Sequence, residues 1–526
     1  MTRTHAWSLA LALALALPVT AHAQPLDVTW TEITPAYALA TNTHWGSGLS
    51  WDGTRLLVRS DTRVDVYTFD GTTAPAFEAQ ISPSSGDTNG FPASAVIDQG
   101  RVLVGANDTV NPQQHVFEFQ LSGTTWSQVS YTTNPMSLVG DDTIVAMALD
   151  GPRWAIGAPY VGGNVGEVDL VRSPGTAPFT WTTSNRTEVV GRQQQELFGH
   201  IITLRGADLL VSAIRGFVGG VEAGRITLYT DTGTSLTQVV SIDDPTPAQE
   251  DQFGFLTALD DTYIYAAAHY DDTNANDAGA LYIFDRSGGT HQTIFGTVAN
   301  GGLGGGLAVD GDWMALGAPT TGPGMGHLFL YQRDASGMWR QRADIPAIDG
   351  ASGTAWGSAM VVRGRVIVAG AFAATAGGVS GGGRAWFAHF TEPDGNACGV
   401  DSDCTHGHCV SGICCSTACT DAGTDAAMTD AGTDAAVVAS DAGSDAGLVN
   451  DAGGDAAIVA TDASSTDAGR TTSDASTADV SLGTDAGGVP RIPLSCTCRA
   501  GAPTTSRIAF LVMALVIAIA ARRKRR

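Results

Sequence analysis

The chain has 526 residues, 43% of them hydrophobic and 15% charged, with a net charge of −25. That acidity excludes a surface built for phosphate backbones, so no nucleic acid partner is expected, and it serves solubility. The only lysine is Lys524, which excludes a lysine Schiff base and a phosphate-loop lysine from the body of the chain.

Residues 1–23 have the order of a signal peptide: Arg3, an apolar centre from Leu9 to Leu17, then Ala21-His22-Ala23 as a small-residue cleavage site. Export is therefore expected. From residue 24 to about 391 one pattern recurs at a spacing of about 50 residues, and a repeat of that length decides the fold. Trp45-Gly46, Phe91-Pro92, Phe198-Gly199, Phe253-Gly254, Leu303-Gly304 and Trp356-Gly357 open its copies. A short strand follows, then a buried run ending near Gly-Ala-Pro, as in Trp154–Pro159 and Trp313–Pro319. An alternating strand comes third, as in Gly224–Tyr229, and a more polar one fourth, as in Trp339–Ile345. No long helical periodicity intervenes.

Seven copies can be counted, beginning near Trp45, Phe91, Ile144, Phe198, Phe253, Leu303 and Trp356. The expected fold is all-β, a seven-bladed β-propeller. The seventh copy ends after its third strand, Arg384–Phe390, and Val28–Ile33 resembles the missing fourth. An N-terminal strand that completes the last blade would leave only short, protected edges.

These marks resemble the FG-GAP (integrin-α-like) repeat proteins, over about residues 28–391. The resemblance implies a binding or adhesion role and a calcium loop of alternating Asp and Asn. The nearest match runs from Asp271 to Asp277, with Asp271, Asn274, Asn276 and Asp277 as candidate calcium ligands. The competing reading is an exposed polar loop whose Asp and Asn make turns, since no other copy repeats the cluster.

Catalytic motifs are sparse. Gly378-Val379-Ser380-Gly381-Gly382 fits G-x-S-x-G but sits in a glycine-rich loop between strands, not in a strand–turn–helix elbow. Asp260, Asp261, Asp310 and Asp312 follow first strands and could approach a rim, as a hydrolase or lyase would need; they also suit hairpin turns. Trp45, Trp154, Trp313, Trp356 and Trp386 are expected between blades rather than on a sugar platform.

Residues 398–419 carry Cys398, Cys404, Cys409, Cys414, Cys415 and Cys419, while the body before them has no cysteine. In an exported chain a small disulfide knot is the expectation, with fifteen possible pairings. A zinc site using His406 and His408 is the alternative. Residues 420–489 repeat Asp-Ala-Gly and carry a charge of −12. Such a segment buries too little to offset its ordering entropy and is expected to be a disordered tether. It would span roughly 45 Å as a flexible coil and at most about 250 Å stretched.

Residues 494–526 end the chain with a charge of +8 over 490–526. The apolar stretch Ile508–Ala521 would make a helix of about 21 Å, shorter than a bilayer core of about 30 Å. It is followed by Arg522-Arg523-Lys524-Arg525-Arg526. Cys496 and Cys498, then Gly501-Ala502-Pro503, the apolar stretch and the basic cluster resemble the myxobacterial C-terminal sorting domain (MYXO-CTERM). The resemblance implies processing by a membrane protease near those cysteines and display at the cell surface. A plain membrane anchor is the alternative. The expected function is a non-catalytic, surface-displayed module for an extracellular protein or glycan; an extracellular hydrolase or lyase and a structural coat component are the other readings.

Overall fold

A computed structural model describes residues 26–416, apart from 85–89, 109–112, 134–145, 174–185, 322–325, 349–353, 395 and 411–412. Cys419, Cys496, Cys498, the leader, the tether and the tail lie outside the described residues. Among the described residues no helix is long and apolar enough to cross a membrane.

Seven four-stranded antiparallel sheets form the blades of a propeller. Blade 1 comprises Gly48–Trp51, Arg55–Arg59, Val64–Thr68 and Ala76–Ile81, and blade 2 Ser94–Asp98, Arg101–Asp108, Gln113–Ser122 and Thr125–Thr133. Blade 3 comprises Ala146–Asp150, Arg153–Ala158, Glu167–Arg172 and Arg186–Val190. Blade 4 comprises Phe198–Arg205, Asp208–Ala213, Arg225–Asp231 and Leu236–Asp243, with a small hairpin, Phe217–Val218 and Val221–Glu222, between its second and third strands. Blade 5 comprises Leu256–Leu259, Tyr263–Ala268, Ala280–Asp285 and Thr290–Phe295, and blade 6 Gly306–Asp310, Trp313–Ala318, His327–Arg333 and Trp339–Pro346.

Blade 7 takes Ala359–Arg363, Val366–Ala371 and Arg384–Thr391 from the end of the repeat and its outer strand, Asp27–Glu32, from the beginning. The expected closure is present, in the register Asp27↔Thr391 to Glu32↔Trp386. Glu32 accepts from Arg384 Nε at 2.8 Å, and Trp30 meets Trp356 edge-on at 5.0 Å.

The aromatic-Gly pair couples neighbouring blades. The N–H of Phe253 donates back to Ala223 O of blade 4 at 2.8 Å, and that of Leu303 to Ala278 O of blade 5 at 2.9 Å. The next N–H turns the other way: Gly254 donates to Ala267 O at 2.9 Å and Gly304 to Gly317 O at 2.8 Å, each within its own blade. This reversal needs φ near +90° at Gly254 and +95° at Gly304, a region that L side chains rarely adopt. In blade 2, Pro92 takes the glycine's place.

The core is a ring of layers between blades rather than one central cluster. Leu57, Val66 and Ile81 of blade 1 pack on Val102, Val104 and Phe117 of blade 2, and the last layer joins Val368 and Ala385 of blade 7 to Trp45 and Leu56. Trp45, Trp154, Trp313, Trp356 and Trp386 are all buried there, as expected for packing residues.

The cysteine-rich segment packs on the closing blade. Cys398 pairs with Cys409 and Cys404 with Cys414, and Cys415 is also disulfide-bonded. With their thiols oxidised, these cysteines offer no thiolate for zinc, and His406 Nδ1 lies 3.0 Å from Asp394 instead. The buried Glu392 fastens the segment: it accepts from Arg342 at 2.8 Å and Arg365 at 3.3 Å, while Arg365 pairs with Asp403 at 2.9 Å.

Candidate functional site

Strand direction gives the propeller two faces. First strands start, and second strands end, on a loop face; the hairpins joining first to second strands line the opposite, turn face.

On the turn face a cavity of about 560 Å³ is lined by Asp150, Arg153, Arg205, Asp208, Asp260, Asp261 and Arg286. Its carboxylates are already engaged. Asp260 accepts from Thr262 N at 2.7 Å, Tyr265 OH at 2.7 Å and Arg333 at 3.0 Å; Asp261 pairs with Arg205 at 3.0 Å. Asp312 pairs with Arg333 at 3.0 Å. A latch recurs from blade to blade: Asp98 accepts from Gly151 N at 2.7 Å, Asp150 from Gly206 N at 2.5 Å and Asp310 from Gly364 N at 2.8 Å. The first-strand aspartates of blades 2, 3 and 6 therefore tie their hairpins to that of the next blade. Ser380 lies in the loop between the second and third strands of blade 7, where its carbonyl accepts from Asn42 N at 3.1 Å.

On the loop face a cavity of about 450 Å³ opens across blades 3 to 5, lined by Tyr160, Leu197, His200, Ile214, Arg215, Glu222, Glu250 and Gln252. The extra hairpin of blade 4 supplies one wall. Arg215 Nε donates to Glu222 at 2.8 Å across its base. Leu197, Glu250 and Gln252 are held at φ of +54°, +70° and +56°, strain that persists only where the surroundings enforce it. Beside the cavity runs an aromatic row. His200 faces Phe255 at 6.2 Å, Phe255 meets His269 at 3.7 Å, and His269 meets Tyr270 at 3.8 Å. Tyr270 and Tyr160 are the exposed rings. Burial pushes both imidazoles down to about 4, so they are neutral at physiological pH.

The candidate calcium loop lies next to this row. Asp271 is buried; it accepts from Thr273 N at 2.8 Å and from Tyr282 OH at 2.5 Å. Asn274 donates to Gly296 O at 2.7 Å. Asn276 donates to Asp277 at 2.8 Å and to Asn300 at 3.2 Å. Asp271 thus turns inward, towards Asp244 and Asp251, while Asn276 and Asp277 pair with each other at the surface. Asp244 follows the outer strand of blade 4, and Asp251 stands two residues before Phe253. Both are buried, at 3% and 1% exposure. Asp244 accepts from Thr246 N at 2.9 Å and Asp251 from Ala248 N at 2.8 Å. Their other oxygens, Asp244 Oδ2 and Asp251 Oδ1, are buried with no donor from any other residue, and the two carboxyl side chains hydrogen-bond to each other. Burial first, then the charges of Asp251 and Asp271, push Asp244 up to about 7; burial first, then the charges of Asp271 and Asp272, push Asp251 up to about 6, against the lowering effect of its hydrogen bond with Asp244.

The sequence pattern alone missed this pair and the cavity. Asp251 does carry a signal: an acidic residue two places before the aromatic, shared with Glu196 alone among the copies that open on an aromatic residue. Among the described residues the groups that bring three potential ligand atoms within 4.8 Å lie elsewhere: the oxidised Cys398, Cys404 and Cys414, and Glu167, Asp169 and Glu188 around Arg186. No protein-family model matches the chain, and no curated protein matches it.

Proposed function

We propose that this chain is an exported, non-catalytic binding protein displayed at the cell surface, and that its ligand site is the loop-face cavity of blades 3 to 5. The observation that carries the reading is the pairing of a polar, charged cavity with the exposed rings of Tyr160 and Tyr270. Ligand sites combine apolar or aromatic surface with a few placed polar groups. Here Tyr270 and Tyr160 offer ring faces, while Arg215, Glu222, Glu250 and Gln252 offer donors and acceptors. Neutral imidazoles and a balanced Arg–Glu pair suit an uncharged, hydroxyl-rich ligand, so a glycan is favoured over an ionic metabolite.

Display rests on the two ends of the sequence. The leader directs export, residues 420–489 act as a tether, and the tail at 494–526 is processed by a sorting protease or held in the membrane. Binding of the full-length protein to glycan arrays and whole cells tests the ligand reading. Tyr270→Ala should weaken binding by about tenfold, the value of one lost stacking contact of roughly 1–1.5 kcal/mol. Equal binding by the variant, or no binding by either protein, would remove the reading. Mass analysis of mature protein tests the tail, since an intact Arg526 contradicts processing.

A further inference from the structure

We propose that the turn-face cavity of blades 3 to 5 binds a free α-amino acid, its carboxylate held by Arg153 and Arg205 and its ammonium by Asp150 and Asp261. Arg153 is the starting point. Its side chain is only 21% exposed, and it lines the cavity. Among the described residues its guanidinium makes no hydrogen bond, only ion pairs of 3.8 Å to Asp231 and 4.0 Å to Asp150. A guanidinium carries five N–H donors, and here none is within hydrogen-bond reach of a protein acceptor.

The neighbouring arginines show how this face otherwise uses the group. Arg172 closes on Asp231 with bonds of 3.0 and 2.5 Å and reaches Thr187 at 2.8 Å. Gly233 N also donates to Asp231, at 2.8 Å, so that carboxylate is satisfied without Arg153. Arg333 donates to Asp260 and Asp312 at 3.0 Å each and to Gly311 O at 2.7 Å. Arg286 donates to Asp208 and, at 3.1 Å, to Asp260 O. These side chains are 18%, 16% and 28% exposed, comparable with Arg153. Burial alone therefore does not explain its open donors.

A second guanidinium with open donors stands at the next hairpin. Arg205 uses only Nε, towards Asp261 at 3.0 Å, so among the described residues both terminal nitrogens are open. Two such forks on one cavity match a carboxylate, which accepts parallel N–H bonds. A dianion such as phosphate suits the cavity poorly. Asp150, Asp208, Asp260 and Asp261 line it against Arg153, Arg205 and Arg286, a net charge of −1.

The acids divide into two kinds. Asp208 and Asp260 accept through both oxygens. Asp150 and Asp261 are each engaged through one oxygen, Asp150 Oδ2 by Gly206 N and Asp261 Oδ1 by Arg205. Asp150 Oδ1 and Asp261 Oδ2 therefore remain to accept from an ammonium. Open donors and open acceptors beside each other call for a ligand that carries both charges close together, as an α-amino acid does on a single carbon. The cavity of about 560 Å³ has room for its side chain, against Pro152 and Ala207. The site lies on the face opposite the proposed glycan cavity and does not rest on that reading.

The test is calorimetry of the full-length protein with each common amino acid in turn, then with the N-acetyl and carboxamide forms of the tightest binder. The expected result is one binding site per chain and a loss of about tenfold or more when either ligand charge is removed, the scale of one charge-assisted hydrogen bond. Arg153→Met and Arg205→Met should each weaken binding by a similar factor. Arg340→Gln, at an exposed arginine of blade 6, should leave it unchanged. Wild-type protein that binds no amino acid overturns the proposal, whether or not the variants fold. Arginine variants that keep wild-type affinity overturn it too. So does an N-acetyl form that binds as tightly as the free amino acid, which makes the cavity a carboxylate site only.

Discussion

The junction between blades 3 and 4 and the junction between blades 4 and 5 are built on the same plan with different charge. Gly191 N donates to Gly166 O in the first, and Asp244 N to Gly224 O in the second, so Gly191 and Asp244 are equivalent. Glu196 and Asp251 both stand two residues before the aromatic, and Gly216 and Asp271 both close a turn on the end of a second strand. In the first junction Arg225 NH1 lies 3.7 Å from Glu196. Ala280 occupies the place of Arg225 in the second. One junction thus holds one buried acid and one guanidinium; the other holds three acids and no guanidinium. The plan tolerates either filling, and what differs is whether a buried acid meets a guanidinium or another carboxyl.

Breaking the first junction should have the largest effect. Arg225→Met leaves Glu196 buried and unpaired, an expected loss of about 3–5 kcal/mol in chemical denaturation. Converting the second junction into the first is the sharper experiment. Ala280→Arg should raise the melting temperature by roughly 1 °C, about 1 kcal/mol for a domain of this size.

A third acidic group extends the contrast to pH, because Arg186 serves three carboxylates at once. Burial, then the charges of Asp169 and Glu188, push Glu167 up to about 7 from 4.5. A carboxyl that is raised on folding holds its proton more tightly in the native state. Its contribution is complete below its unfolded value and is lost as pH rises through the folded one. Melting temperature should fall between pH 4.5 and about 7, and Glu167→Gln should flatten that slope. The smallest effect is local: Gln252→Gly relieves a left-handed backbone and should stabilise by about 0.5–1 kcal/mol.

The blades were legible because their signals are local and repeated. An aromatic-Gly opening and a buried run to Ala158-Pro159 or Ala318-Pro319 each mark one place in one blade. The closing strand was legible because Val28–Ile33 has the polarity of an outer strand and the seventh copy lacks one. The acidic junction was not. Asp244, Asp251 and Asp271 come from three segments, and each alone has the character of a turn residue. Asp271 was picked out with Asn274, Asn276 and Asp277 because they are neighbours along the chain, whereas the residues it faces are twenty and more positions earlier. Asp260 and Asp310 were legible as hairpin residues, but not their bonds to Arg333 and to the next blade.

The seam of blade 7 bears on how the molecule is made. Glu32 and Arg384 are 352 residues apart, so the first blade strand along the chain pairs with the last. Joining ends so distant costs about 5 kcal/mol of chain entropy, to be met by one strand pairing and the Trp30 contact. Every other blade can assemble from neighbouring sequence as it emerges. Closing the ring is thus the most non-local strand pairing of the fold, and without it Arg384–Thr391 presents an unpaired edge to any strand nearby.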